Sequence, residues 1–252
     1  MNSAKLELLD IFSYSCMNCL RSLNYIKKLG SKYKRYGLRT AIVHVPEWDF
    51  EKNKDNISMA IKKYGINFKN IVDKNKKLIK NLKINFWPAQ ILIKNNKIIY
   101  KHIGEGNYKA LENKIMNVLK AKTMVLFNNE PEYTKFHAIY AGKRKEGIIL
   151  ELKDKLKFGV IYKKGSWKQN DESLVGKGSL TIRTKGKIIS MVASSINKKT
   201  INSKIIINNK NIRNLKINKP RLYEIIKLKD NKPKILSIET KSKLGIYSFA
   251  FR

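Results

Sequence analysis

Cysteine, histidine and long apolar runs are all scarce in this sequence, and each shortage excludes a class of protein. The 252 residues include two cysteines and three histidines. A structural zinc site usually takes four ligands, and His44, His102 and His137 do not lie at ligand-like spacing from the cysteines. No apolar stretch approaches the roughly 20 residues that a membrane-spanning helix needs. Neither a metal site nor a transmembrane segment is therefore predicted.

Acidic residues are also few. The chain has 19 of them against 54 lysines and arginines, which gives a net charge of +35. The excess is +15 in residues 1–120 and +20 in residues 121–252, and lysine greatly outnumbers arginine. Proteins that read nucleic acid tend to cluster arginine, so no specific nucleic-acid partner is predicted. Non-specific attraction to polyanions at low salt is expected from the charge alone.

The two cysteines, Cys16 and Cys19, are separated by two residues. Residues 6–12 before them form a short apolar run typical of a buried strand, and the apolar residues after them recur on one helical face, at Leu20, Leu23, Ile26 and Leu29. Cys16 therefore falls at a helix start, where free backbone N–H groups and the helix dipole favour a thiolate. Cys19 lies one turn further on, close enough to attack a mixed disulfide formed by Cys16. This spacing predicts thiol–disulfide exchange.

Two other interpretations of the cysteine motif have less support from the sequence. An inert disulfide between Cys16 and Cys19 would close too short a loop to constrain much of the unfolded chain. A peroxidatic cysteine would suit Ser13, three residues before Cys16, but Leu9 stands where that motif has proline. The residues favour redox chemistry by a dithiol.

The rest of the first half alternates strand and helix signals. The pattern predicts a strand over 38–45, helices over 53–64, 73–82 and 107–119, and a hairpin of strands 90–93 and 97–100. Gly65 is a good C-cap for the first of these helices. This order predicts an α/β domain with both parallel and antiparallel strand pairs.

Four short segments carry a more specific signal. They are residues 14–21 (Tyr-Ser-Cys-Met-Asn-Cys-Leu-Arg), 44–47 (His-Val-Pro-Glu), 86–89 (Phe-Trp-Pro-Ala) and 104–108 (Gly-Glu-Gly-Asn-Tyr). Together they resemble the TlpA/ResA-like thioredoxins, and most closely the thioredoxin domain of DipZ-type proteins. The resemblance spans most of residues 6–120. It implies a thioredoxin fold and a disulfide reductase or oxidase that acts on proteins.

The resemblance also implies a client-binding surface. Pro88 matches the cis-proline that lies against the dithiol, and Trp87 and Tyr14 are the other candidate substrate-binding residues. A cis bond before proline is accessible at modest cost. The backbone that precedes such a proline is free to pair with an extended peptide.

Two acidic residues are implied as catalytic partners of the dithiol. Asp10 matches the buried acid beneath the cysteines, where desolvation would raise the pKa of the carboxyl and allow proton exchange with Cys19. Glu47 matches an acidic residue near the dithiol and is a second candidate proton donor. A solvent-facing strand end for Asp10 and a loop carboxylate for Glu47 are the alternatives.

Partners and location follow from the same resemblance. No cofactor is implied beyond the redox-active cysteine pair itself. The partners are client proteins with disulfides or thiols, and an electron donor for which a membrane protein of the CcdA type is one candidate. Met1 stands just before the first strand, so the chain as written is expected in the cytoplasm. If it lacks its leader, the alternative is an extracytoplasmic location.

Beyond residue 122 the helical periodicity disappears. Residues 128–131 indicate a turn or linker, and β-rich runs follow at 147–152, 158–162, 179–184, 188–194, 204–207, 221–228, 234–239 and 245–251. Such short strands predict an all-β sandwich or jelly roll. We therefore predict two domains, a thioredoxin-like redox domain over 1–122 and a β-sandwich accessory domain over 123–252.

The end of the chain also resembles the C-terminal domain of DipZ-type proteins, which looks like a carbohydrate-binding jelly roll. The matching segments are 221–224 and 247–251. Trp167, Tyr162 and Tyr223 are the candidate aromatic platform for a sugar, whereas the alternating Tyr247, Phe249 and Phe251 are typical of a core strand. The alternative function is therefore a glycan- or protein-binding module with an incidental redox pair.

Overall fold

The computed structural model describes residues 6–122 and 138–252, apart from residues 154 and 198. The chain divides into two compact units, Met1–Pro131 and Glu132–Arg252. The predicted linker at 128–131 lies outside the described residues, and the predicted boundary at 122/123 falls at their edge.

The first unit is a mixed sheet flanked by helices. Its elements are β1 (Leu6–Phe12), α1 (Met17–Tyr33), β2 (Leu38–His44), α2 (Lys54–Tyr64), β3 (Lys69–Val72), α3 (Lys77–Asn81), β4 (Ala89–Lys94), β5 (Lys97–Ile103) and α4 (Tyr108–Leu119). The strand order is β3-β2-β1-β4-β5. The strand β2 runs parallel to β1 and β3, whereas β4 runs antiparallel to β1 and β5. The predicted α/β fold is confirmed, and β3 is an addition to it.

Strand alternation decides which face of this sheet lies beneath the cysteines. Leu6, Leu8 and Phe12 of β1 belong to an apolar cluster that also contains Cys19 and other apolar residues of α1 and α4. Ile11 belongs to the cluster on the opposite face, which includes Ile79 of α3. Successive side chains of a strand point to opposite faces. Asp10 therefore shares the face of Cys19.

The second unit is all-β. Its described strands are β6 (Ala138–Tyr140), β7 (Ile148–Glu151), β8 (Val160–Gln169), β9 (Leu174–Thr184), β10 (Ile188–Ser195), β11 (Ile201–Ile207), β12 (Lys210–Ile217), β13 (Arg221–Lys227) and β14 (Lys234–Phe251). The sheet runs β12-β11-β14-β9-β8-β7, with β10 bridging β14 and β13, and β6 paired to β14. Inward residues from these strands form one apolar cluster. The predicted all-β fold, consistent with a sandwich, is confirmed.

The longest strand, β14, corrects one prediction. Residues 234–239 and 245–251, predicted as two strands, belong to one strand of 18 residues. Its first half pairs with β11 and its second half with β10, and its register against β9 shifts between Thr240 and Leu244. A register shift of this kind bends a strand without ending it, so the polar residues between the halves do not break the strand.

The prediction that three aromatic rings of the second unit form an exposed platform for a sugar is wrong for two of them. Tyr162 and Tyr223 are buried, and Trp167 is partly buried against the core cluster. The Tyr223 hydroxyl donates to the Lys219 carbonyl at 2.6 Å and accepts from the Asn218 N–H at 3.0 Å. A buried tyrosine bonded to the backbone just upstream fixes a corner between strands, so Tyr223 has a structural role.

Candidate active site

Cys16 and Cys19 occupy different environments at the start of α1. Cys16 is the N-cap residue, with extended backbone angles, and is partly exposed, whereas Cys19 is fully buried. The Cys19 N–H donates to the Cys16 Sγ at 3.3 Å. Cys16 is therefore the accessible thiol and Cys19 the sheltered one.

Burial sets the protonation of Cys19. Desolvation raises the pKa of the Cys19 thiol well above its usual range, and the hydrogen bond and charge of Cys16 raise it further. A backbone hydrogen bond from Ser13 acts in the opposite direction. Because Cys19 keeps its proton at neutral pH, it needs a base before it can attack a disulfide.

Asp10 lies on the face of the sheet that carries Cys19. Its carboxyl is fully buried, and Gln90 Nε2 donates to Oδ1 at 2.9 Å while also lying 3.1 Å from the Ser22 Oγ. The other oxygen, Oδ2, has no hydrogen-bond partner among the described residues. Desolvation raises the pKa of Asp10 to about 7, against the lowering effect of Gln90, and its charge acts on Cys19. The carboxyl can therefore take up or release a proton near neutral pH.

The buried carboxyl makes a testable difference to stability. In the unfolded chain the pKa of Asp10 is near 3.8 and in the folded protein about 7, so between these values only the folded state holds the proton. The free energy of unfolding therefore falls as the pH rises from about 4 to about 7. We expect Asp10→Asn to exceed the wild type in stability by up to about 4 kcal/mol at pH 8 and by little near pH 4.

Urea unfolding of both proteins at pH 4, 6 and 8 measures this difference. The titration of every other carboxyl is common to the two proteins and cancels between them. A stability difference that stays the same at all three pH values would contradict the buried, proton-binding state of Asp10.

The Trp87–Pro88 peptide bond lies at the sheet end from which the cysteine loop departs. It is cis, as predicted. In the register of β1 with β4, Ile11 pairs with Ala89, so the buried Pro88 comes level with the end of β1. Trp87 is partly buried, while Phe86 is 72% exposed. The structure thus provides an apolar surface at this edge.

The structure places Tyr14 in the core rather than on this surface. Only 1% of Tyr14 is exposed, and its ring stacks on the His44 ring at a centroid distance of 5.2 Å. Burial lowers the pKa of His44 to about 4, so this ring is neutral at pH 7. Tyr14 cannot contact a client peptide from that position, and the predicted role in substrate binding is corrected to a packing role.

A buried carboxyl that the sequence did not point to lies beside the cysteine loop. Glu51 is fully buried, and its Oε1 accepts from the Ser13 Oγ at 2.7 Å, the Ser15 Oγ at 2.7 Å and the Ser15 N–H at 3.1 Å. Its Oε2 accepts from the Glu47 N–H and, at 3.3 Å, the Trp48 N–H. Desolvation and the charge of Glu47 raise the pKa of Glu51 to about 7, while the serine hydrogen bonds lower it.

Glu47 itself is only partly buried and contributes its backbone to this network. Its predicted role as a proton donor stays a prediction. The glutamate that reaches the segment before Cys16 is Glu51. A glutamate three residues into a helical turn often reaches back to the backbone N–H groups at the turn's start, which is the one sequence signal for Glu51.

An ion pair joins the helix that carries the cysteines to the loop before α4. Arg21 donates through Nε to the Glu105 Oε1 at 2.7 Å and through Nη2 to Oε2, and its Nη2 also bonds the Asn18 Oδ1 at 2.7 Å. The Glu105 side chain is 1% exposed. A bidentate, sheltered pair of this kind fixes orientation, so it holds the first turn of α1 in place.

No cluster of three or more His, Cys, Asp or Glu side chains is arranged to hold a metal ion among the described residues. No helix within the described part of the chain is long and apolar enough to cross a membrane.

The strand order, the cysteine pair at the start of α1 and the cis-proline at the same sheet end define a thioredoxin-like domain. The chain is similar to Protein DipZ of Mycobacterium tuberculosis, with 33% identity over 117 residues that cover 46% of this chain and 17% of DipZ. It is also similar to the thiol-disulfide oxidoreductase ResA of Bacillus cereus, with 26% identity over 111 residues, 44% of this chain and 61% of ResA.

Among solved structures, StoA from Bacillus subtilis matches with a TM-score of 0.38 and 19% identity, covering 44% of this chain and 81% of StoA. The family model described as "Thioredoxin like C-terminal domain" matches residues 142–251. The chain spans less than a fifth of the length of DipZ. The first unit is a thioredoxin-like domain of the DipZ and ResA type, and the second unit carries the match to the C-terminal domain model.

Proposed function

We propose that the protein is a thiol–disulfide oxidoreductase that acts on protein disulfides through Cys16 and Cys19. The observation that carries the proposal is the unequal access of the two thiols, one partly exposed at the helix start and the other fully buried one turn along. The thiol-disulfide oxidoreductase name of ResA supports the same class of reaction. The direction of electron flow in the cell depends on the partners.

The reaction proceeds by two exchanges of sulfur. The Cys16 thiolate attacks one sulfur of a client disulfide, which forms a mixed disulfide and releases the other client sulfur as a thiolate. Asp10 then takes the proton of Cys19, and the Cys19 sulfur attacks the Cys16 sulfur of the mixed disulfide. The second client thiolate leaves, and a Cys16–Cys19 disulfide remains. A dithiol donor must supply two electrons before the next cycle.

Reduction of insulin disulfides by the full chain, with dithiothreitol as the donor, tests the proposal. We expect turnover well above the dithiothreitol background for the wild type and background turnover for Cys16→Ser. The competing function, a binding module with an incidental redox pair, predicts background turnover for both proteins. The glycan-binding form of that alternative has lost support, because Tyr162 and Tyr223 of the predicted sugar platform are buried.

The first unit is expected to carry the dithiol chemistry alone. The cysteines, Asp10 and Glu51 all precede residue 122, and the unit has its own apolar clusters. A chain that ends at Lys122 should therefore fold and reduce a small aromatic disulfide at a rate within about twofold of the full chain. Circular dichroism and the absorbance of the released thiol measure the two properties. A folded but inactive short chain would contradict this division.

A further inference from the structure

The Glu51 carboxylate is bound by donors that come from two separate segments of the chain. Ser13 and Ser15, on the loop between β1 and α1, bond one oxygen, while the N–H groups of Glu47 and Trp48 bond the other. The side chain is fully buried. A buried carboxylate that satisfies five donors orders both segments, because removing it would leave those donors unpaired.

Both oxygens of the Glu51 side chain accept from backbone N–H groups, which favours a carboxylate over an amide at this position. Oε1 faces the Ser15 N–H, and Oε2 faces the N–H groups of Glu47 and Trp48. Backbone N–H groups can only donate. The amide of glutamine would turn its NH₂ toward a backbone N–H in either orientation, so the isosteric replacement Glu51→Gln loses hydrogen bonds although its shape fits.

The residues that Glu51 holds are the ones that contact the cysteines. The Ser13 carbonyl accepts from the Cys16 N–H at 3.2 Å, and a backbone hydrogen bond from Ser13 acts on the Cys19 thiol. Ser15 directly precedes Cys16 in the chain. Glu51 therefore binds Ser15, the residue next to Cys16 in the chain, and Ser13, the residue whose backbone acts on Cys19.

We infer that Glu51 is a positioning residue for the dithiol: it fixes the Ser13–Cys16 turn so that the Cys16 sulfur stays at the helix start, aligned for attack. This inference rests on the proposed oxidoreductase function. It assigns Glu51 no contact with the client and no transferred proton. Without Glu51 the turn would no longer hold the Cys16 sulfur against the Cys19 N–H, which donates to it at 3.3 Å. The reactivity of Cys16 therefore reports on this residue.

The experiment compares Glu51→Gln with Glu112→Gln in the full, reduced chain. Glu112 is a matched control because it too is a fully buried carboxyl of the first unit, and it accepts from the Tyr33 hydroxyl at 2.6 Å. The readouts are the rate of Cys16 alkylation by iodoacetamide at pH 7, followed by mass spectrometry, and kcat and KM for insulin reduction. Urea unfolding shows that each protein is folded under the assay conditions.

We expect Glu51→Gln to slow Cys16 alkylation by about 10-fold to 100-fold and to lower kcat with little change in KM, while Glu112→Gln stays within about twofold of the wild type. Equal alkylation rates in the two folded variants would overturn the inference. If Glu51→Gln does not fold, the double variant Ser13→Ala, Ser15→Ala decides in the same way, since it removes two of the donors and keeps the carboxylate.

The same measurements distinguish a failure of the positioning role of Glu51 from a failure of the proposed oxidoreductase function. If the wild type does not reduce insulin, the oxidoreductase proposal fails, but iodoacetamide still measures the reactivity of Cys16. If the wild type reduces insulin and Glu51→Gln matches Glu112→Gln in alkylation, only the positioning role fails.

Discussion

Cys19→Ser is expected to accumulate mixed disulfides with client proteins, whereas Cys16→Ser is not. Cys16 is partly exposed and accepts the Cys19 N–H, so it attacks first. Without the Cys19 sulfur, the mixed disulfide cannot be resolved from within the protein. Turnover on insulin should fall by more than about 1,000-fold in Cys16→Ser, because the replacing hydroxyl stays protonated and is a poor nucleophile.

Non-reducing gels followed by mass spectrometry of the trapped species measure this result. The Cys16→Ser, Cys19→Ser double variant is the control for adventitious complexes, which the high net charge of +35 makes a necessary one. Equal trapping by the two single variants would contradict the assignment of Cys16 as the attacking residue and Cys19 as the resolving one.

Asp10→Asn is expected to slow the second step by about 10-fold to 100-fold, which is at or below the usual range for losing a general acid–base group. Burial holds the proton on Cys19, and Asp10, whose pKa is about 7, is the proposed proton acceptor on the same face of the sheet. The first step does not use this carboxyl, so alkylation of Cys16 should change little.

Rapid-mixing measurements of mixed-disulfide decay between pH 6 and 8 separate the two steps. In the wild type the decay rate should rise with pH near 7 as Asp10 loses its proton. The Asn variant should show a smaller rise, since Glu51, whose pKa is also about 7, still titrates there. The Glu112→Gln variant controls for loss of a buried carboxyl elsewhere in the unit. A decay rate unchanged by Asp10→Asn would show that the carboxyl is a bystander.

Local sequence patterns were sufficient to predict most helices and strands of the first unit. The run over 6–12 and the cap at Gly65 correspond to β1 and to the end of α2, where Gly65 adopts a left-handed φ of 58°. The strand β3 was missed because its four residues, Lys69–Val72, are half-exposed or exposed and alternate poorly. Such a short strand is stabilised by parallel pairing with β2, which is tertiary information.

In the second unit the sequence contains a turn signal for β12, a strand that the sequence analysis did not predict. Asn95 and Asn96 turn the β4–β5 hairpin with positive φ angles, and Asn208 and Asn209 do the same between β11 and β12. Paired asparagines favour such a turn, so the second pair could have predicted β12. Its exposed residues are charged or polar apart from Ile212, as is common on an edge strand. The sequence of β12 therefore shows no clear alternation of apolar and polar residues.

Some features of the candidate site could likewise be predicted from local sequence, whereas others depend on tertiary packing. The spacing of the cysteines and the family resemblance were enough to predict that Cys16, Cys19, Asp10 and Pro88 lie together at one end of the sheet. The burial of Tyr14 and the reach of Glu51 to Ser13 and Ser15 depend on how two distant loops pack. No periodicity within either loop encodes that contact.

The central claim, that the cysteine pair is a working redox couple, is tested most directly by its equilibrium potential against glutathione. The full chain is equilibrated in buffers of stepped glutathione ratio, and the thiols are counted by alkylation and mass spectrometry. We expect one two-electron transition between about −270 and −120 mV, the range of thioredoxin-fold dithiols, and none in Cys19→Ser. A pair that stays as thiols throughout, or that resists reduction down to about −300 mV as structural disulfides do, would contradict the account.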